Sequence, residues 1–202
     1  EEFHTDDAVG QGSKSSCVEF NRLLQGQEGW NTRLTRLLDI GRKYYMQYHL
    51  DFIDDNGNIM VGYWRDTPEY IAQARTQHIG ENNNNGGFGF YVNGDHTIYY
   101  GDDTPSRVAP ERRMTGPFRG RHVGVLLDLD PESPTYRCIL LFWSDDASVE
   151  TLRYRGILIE GLPEGSYRGA VSLNRVGDTV SWVGSIGDDI PEQIRRQIPL
   201  PE

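Results

Sequence analysis

Apolar and polar residues alternate with a period of two from Lys43 onward. Tyr44, Met46, Tyr48, Leu50 and Phe52 fall on one side, and Tyr45, Gln47, His49 and Asp51 on the other. Successive side chains of a strand point to opposite faces, so this run predicts a strand over 43–52. Asp55-Asn56-Gly57-Asn58 follows. Asn-Gly tolerates the positive φ angles of a type I′ turn, which predicts a hairpin with 59–64 as the partner strand. Residues 88–92, the turn Asn93-Gly94-Asp95 and residues 97–100 predict a second hairpin. Residues 122–129 form the most apolar run of the chain and predict a central strand covered on both faces. Strand-sized runs follow at 137–143 and 153–159, with a turn at Ser144-Asp145-Asp146, and 167–173 with 179–183 predict a last pair.

Two stretches carry helix signals. Ser16 and Glu19 have capping-box spacing, Phe20, Leu23 and Leu24 follow at helical intervals, and Gly26 stops the run. Near the end, Asp189 as N-cap and Pro191 in the first turn predict a short helix closing near Gln197. Residues 1–15 are polar and patternless and read as a flexible tail. Residues 65–87 read as a long loop with a short strand near Ile71, and the run Asn82-Asn83-Asn84-Asn85 as its surface portion. Residues 101–119 read as another loop. The expected fold is all-β: a two-sheet antiparallel β-sandwich with short terminal helices, forming one domain over 16–202.

Composition narrows the partners. With 202 residues the chain has the length of one domain. Thirty acidic against 20 basic residues give a net charge of −10, which argues against nucleic acid, since phosphate binding needs an excess of Lys and Arg. No apolar run approaches the ~20 residues that span a bilayer, so no membrane insertion is expected. Cys17 and Cys138, the only cysteines, exclude a disulfide-rich scaffold and a CxxC zinc site. Their pairing stays open, and Cys138, in a strand, reads as a small buried hydrophobe. The chain starts on Glu1 and lacks the pattern of a signal peptide. The expectation is a fragment of a longer protein or a chain whose leader was removed, cytoplasmic, with an extracellular location as the alternative.

Chemistry-bearing motifs are sparse. His4, His49, His78, His96 and His122 have no Cys or His neighbour at metal spacing, and no G-x-S-x-G elbow occurs. The segment Asp54-Asp55-Asn56-Gly57-Asn58 resembles a calcium loop only superficially, because its Gly is at the wrong offset and the twelfth-position Glu is absent. Asp128 and Asp130 share a strand face, but the Glu-x-Asp-x-x-Glu type spacing expected of β-sandwich glycosidases is missing. The reading is no enzyme, no cofactor and no metal. One basic stretch, Arg107, Arg112, Arg113, Arg119 and Arg121, either grips an acidic peptide or is a solvated loop balanced by Asp102, Asp103 and Glu111.

Seven segments, in order, resemble the SPRY domain, an interaction module. Gly41-Arg42-Lys43-Tyr44-Tyr45 is similar to a Gly-Lys-x-Tyr-Trp opening, Ile59-Met60-Val61-Gly62 to a Val-Gly-Val strand, and Gly87-Phe88-Gly89-Phe90 to Ser-Trp-Gly-Trp/Tyr. The segment from Tyr99-Tyr100-Gly101-Asp102 to Pro105-Ser106 resembles Tyr-His-Asp-Gly with its trailing Pro-Ser in the SOCS-box SPRY adaptors. The most specific match is His122 to Asp130, similar to Ile-Gly-Val-x-Leu-Asp-Leu/Tyr-Asp/Glu. Leu141-Phe142-Trp143 stands where the family has Ser-Phe-Tyr, and Tyr167 with Ala170-Val171-Ser172-Leu173 resembles Tyr-Pro-Ala-Val-Ser-Leu. The resemblance spans 41–183. Arg168-Gly169 replaces the proline, Tyr45 replaces the Trp, and residues 131–135 form an insertion.

The resemblance implies a jelly-roll sandwich of the concanavalin type that binds a peptide or protein surface through loops at one edge, as part of an adaptor or scaffold. Any ubiquitin-ligase module would lie in other domains of a longer parent chain. In the SOCS-box adaptors the contacts come from the loop after Val-Gly-Val, the Tyr of Tyr-His-Asp-Gly and a Trp-Gly. Here these positions are Arg65, Tyr99 and Val176-Gly177. With Asp66, Tyr100 and Arg175 they make a candidate ligand-binding site offering aromatic area and bidentate arginines. The rival reading buries Tyr99 and leaves the arginines in solvent. The alternative functions are a lectin-like carbohydrate-binding sandwich, with Trp64 and residues 82–85 as its platform, and a structural docking domain.

Overall fold

The computed structural model describes residues 17–25, 29–38, 40–53, 58–74, 77–80, 86–92, 98–99, 114 and 116–199. In chain order these form strands β1 (Cys17–Gln25), β2 (Asn31–Leu38), β3 (Lys43–Phe52) and β4 (Ile59–Arg65), then helix α1 (Pro68–Gln73). Strands β5 (Gly87–Tyr91), β6 (Ile98–Tyr99), β7 (His122–Asp128), β8 (Cys138–Ser144), β9 (Leu152–Ile159), β10 (Tyr167–Leu173) and β11 (Thr179–Ile186) follow, and helix α2 (Glu192–Arg195) closes the series. A six-stranded sheet has the order β1-β11-β3-β7-β8-β9, and a five-stranded sheet the order β2-β10-β4-β5-β6. Every pairing is antiparallel.

Alternation decides which side chains meet between the sheets. Met46, Tyr48 and Leu50 of β3, Val123, Val125 and Leu127 of β7, and Ile139, Leu141 and Trp143 of β8 face Val61, Tyr63, Phe88, Phe90 and Val171 of the smaller sheet. The opposite faces are covered too. Tyr45, Leu126, Leu140 and Phe142 lie under Ile190 and Ile194 of the C-terminal segment. Met60, Trp64 and Ala170 lie under Ala74 and Ile79, with Tyr70 and Ile71 of α1 packed alongside. β7 is thus central and covered on both faces, as its composition predicts. Two tyrosines tie the sheets together. The Tyr63 hydroxyl lies 2.9 Å from the carbonyls of both Tyr44 and Val125, and the Tyr48 hydroxyl donates to the Ala170 carbonyl at 2.9 Å.

Several expectations are corrected. The helix expected over 16–26 is strand β1 from Cys17 on, paired with β11 and irregular around Asn21. Its capping box is a local signal, and the open hydrogen-bonding edge of β11, distant in sequence, outweighs it. Strands β3 and β4 exist as expected but are no hairpin: β3 lies between β11 and β7, and β4 between β10 and β5. β10 and β11 likewise belong to different sheets. Each pair carries apolar faces that meet across the sandwich, so the chain crosses between layers instead of folding back within one. Residues 54–57 of the expected turn lie outside the described residues. The β5–β6 hairpin is present.

The short strand expected near Ile71 is helix α1. Thr67 caps it, its hydroxyl accepting from the Tyr70 N–H, and Pro68 opens the first turn. At the C-terminus Asp189 belongs to a 3-10 turn (Gly187–Asp189), and Pro191 is the N-cap of α2. Beyond α2, the Gln197 side chain reaches edge strand β9, where Oε1 accepts the Tyr154 N–H at 2.8 Å and Nε2 donates to the Leu152 carbonyl at 3.2 Å.

Candidate functional site

β4 and β10 run antiparallel, with Arg65 opposite Tyr167 and Ile59 opposite Leu173. Arg65 and Asp66 therefore sit at one end of the five-stranded sheet, and the loop after Leu173 at the other. Six residue steps separate the ends, about 20 Å at strand spacing. The seven residues drawn together by the resemblance are thus not one cluster. Tyr99 pairs with Gly89, which pairs with Gly62, so its backbone lies on the edge strand, midway between the two ends. The Tyr99 side chain and all of Tyr100 lie outside the described residues.

At the first end the side chains have partners within the chain. Arg65 Nη2 donates to the Glu164 carbonyl at 2.8 Å. Asp66 Oδ1 accepts from Arg168 Nε at 2.7 Å, and Arg168 Nη1 also reaches the Thr35 carbonyl at 3.3 Å. Arg137 binds the same loop from below: Nε donates to the Leu162 carbonyl, and Nη1 lies 3.9 Å from Glu164. Arginines with these geometries fasten the loop over 160–166 to the sheet.

The second end differs. Asn174, Arg175, Val176 and Gly177 make a tight turn between β10 and β11. Asn174 Oδ1 accepts the Asn58 N–H at 2.9 Å, and the Asp178 N–H donates to the Arg175 carbonyl at 3.3 Å. Gly177 has φ +101°, a left-handed conformation in which a side chain would be strained. Asp178 is fully buried beneath the turn. At the tip Val176 is 74% exposed, the most exposed large hydrophobic residue among those described. Thr179, just past the turn, is paired with Phe52, which is 41% exposed. The Arg119 guanidinium lies 5.4 Å from the centre of the Phe52 ring. This end thus presents a fixed apolar tip, an aromatic face and a cation.

The other candidates are placed as follows. Arg107, Arg112 and Arg113 lie outside the described residues. Arg121 turns inward: its Nε donates to the Ser144 carbonyl at 2.9 Å, and burial lowers its pKa. Asp128 is buried and accepts from the Ser133 and Thr135 hydroxyls at 2.5 and 2.6 Å and from the Asp130 N–H at 3.0 Å. That arrangement shapes the turn after β7. Cys138 is a free thiol, and burial pushes its pKa up to about 11, so it is not a ready nucleophile. The Cys17 side chain lies outside the described residues. Among the described residues no group of three or more His, Cys, Asp or Glu is arranged to hold a metal ion.

Phe52 was not singled out in the sequence, and Arg119 only within the basic stretch, because their place at the Val176 end depends on β11 pairing with β3. His49 and His122 were judged unconnected, yet the β3–β7 register sets them opposite one another.

No protein-family model matches the chain, and no curated protein does. Among solved structures, the SPRY domain of human HERC1 is similar, with a TM-score of 0.54 across 87% of this chain and 93% of that one. The fold is SPRY-like. Sequence identity is 12%, so the likeness is one of architecture. The carbohydrate recognition domain of Emp47p also matches, at 12% identity and a TM-score of 0.40, covering 87% of this chain and 100% of that domain. In the SPRY-like sandwich described here, the turns joining the two sheets gather at its two ends, and Val176 tops one of them.

Proposed function

We propose that the chain is a non-catalytic recognition module, part of a longer adaptor or scaffold, that binds a peptide or protein surface at the sandwich edge carrying Val176. The observation that carries this is the exposed Val176 on a turn held by Asn174, Gly177 and buried Asp178. A fixed loop loses little entropy on binding. Burying a valine side chain contributes about 1.5–3 kcal/mol. Phe52 and Arg119, at the same end, supply the aromatic and arginine contacts that dominate interfaces. The SPRY-like architecture supports the reading, since the HERC1 domain shares it.

The test is affinity capture from the native source with wild type, Val176→Asp and Arg65→Ala as baits, each checked for folding by circular dichroism. The reading expects specific partners that are lost with Val176→Asp, corresponding to at least a tenfold weakening, and kept with Arg65→Ala. Partners kept by Val176→Asp and lost with Arg65→Ala would move the binding surface to the Arg65 end. Partners unaffected by either variant would overturn the edge-loop reading.

A further inference from the structure

The outer face of the six-stranded sheet carries a polar cluster a few residues in from the Val176 end. His49 of β3 is directly opposite His122 of β7 on one side and Ser181 of β11 on the other. Residues directly opposite in an antiparallel pair point to the same face, with Cβ atoms about 4.5–5.5 Å apart. The two imidazoles meet with ring centroids 4.7 Å apart and planes inclined by 41°. Both residues are half-buried, so solvent reaches the pair.

The His49 ring has one nitrogen engaged. His49 Nδ1 lies 2.7 Å from Asp51 Oδ1, and the other oxygen of Asp51 accepts from the Ser181 hydroxyl at 2.6 Å. An ionised carboxylate only accepts, so His49 holds its proton on Nδ1 and leaves the Nε2 lone pair free. This is the carboxylate–histidine arrangement that orients metal-ligating imidazoles and raises their basicity. His122 Nδ1 is buried with no hydrogen-bond partner. A buried polar atom without a partner costs about 1–3 kcal/mol and calls for an explanation, of which an ion is one. Ser181 donates to Asp51 and not to a histidine, so the cluster is no serine triad.

We propose that His49 and His122 form a two-imidazole site for a borderline divalent transition cation such as Zn²⁺ or Cu²⁺, with Asp51 as the positioning residue. Nitrogen ligands select this class over calcium and magnesium, which take oxygen. With two protein ligands, water completes the coordination and solution remains the source of the ion.

The test titrates Zn²⁺ into the purified chain by calorimetry and records the Cu²⁺ electron paramagnetic resonance spectrum. Expected are one Zn²⁺ per chain and nitrogen splitting from two imidazoles. His49→Gln and His122→Gln should each weaken Zn²⁺ at least tenfold, and the double variant little further, because the two rings act on one ion. Asp51→Asn should weaken it roughly 10–100-fold without removing a ligand. The His49 side chain is 37% exposed, so its variant keeps the test decisive if His122→Gln does not fold. Zn²⁺ bound with wild-type affinity by His49→Gln, or not taken up by wild type, overturns the proposal.

Discussion

Gly62 shows how little room a single position can leave. It faces Gly89 across β4 and β5, and a Cβ there would fall 2.1 Å from the Phe88 carbonyl oxygen and 2.6 Å from the Gly89 Cα. Both are backbone atoms, so no side-chain rotation relieves the clash. Gly62→Ala is expected to destabilise the protein by about 2–3 kcal/mol, read as a lower urea midpoint with an unchanged slope. The glycine was legible as part of a Val-Gly-like strand, but not its reason, because that depends on which strand lies beside it. The same holds for His49 and His122: alternation gives the face of each ring, and only register gives the neighbour. Val176 was reached through the resemblance. Arg65, reached the same way, has its side chain engaged with the Glu164 carbonyl.

Elements were more legible than their partners. Alternation located β3, and turn signals with short apolar runs located β4, β5 and β7 to β11, several of which are covered on both faces. The pairing of β3 with β11 and of β4 with β10 was not legible, since Asn-Gly turns report local backbone and not the layer that each strand joins. α1 was written in Thr67-Pro68-Glu69, an N-cap, a first-turn proline and an acid, and was passed over inside a long loop. α2 has four residues, too few to be stable alone, so packing holds it. Ile194 supplies much of that packing, buried against the outer face beside Ile190. Ile194→Ala is expected to cost about 2–4 kcal/mol in chemical denaturation and to speed proteolysis within 187–199.

For the molecule as a whole, buried hydroxyls set the alkaline limit. Burial holds Tyr45, Tyr48, Tyr63 and Tyr167 protonated well above the usual tyrosine range. Above pH 10 the unfolded chain releases these protons while the folded one keeps them. The folded state then binds more protons, and stability falls as pH rises. Below pH 10 the four contribute no pH dependence. Tyrosinate absorbance from them is expected to rise together with the loss of the circular dichroism signal; ionisation of all tyrosines in a still-folded chain would contradict this.

The contact between Gln197 and β9 bears on what the molecule does in company. β9 is an outer strand, and its free N–H and C=O groups would otherwise accept a strand from a second chain. The Gln197 amide presents one acceptor and one donor to the Tyr154 N–H and the Leu152 carbonyl, occupying places a neighbouring backbone would take. A single side chain therefore hinders growth of the sheet into a ribbon at this part of the margin.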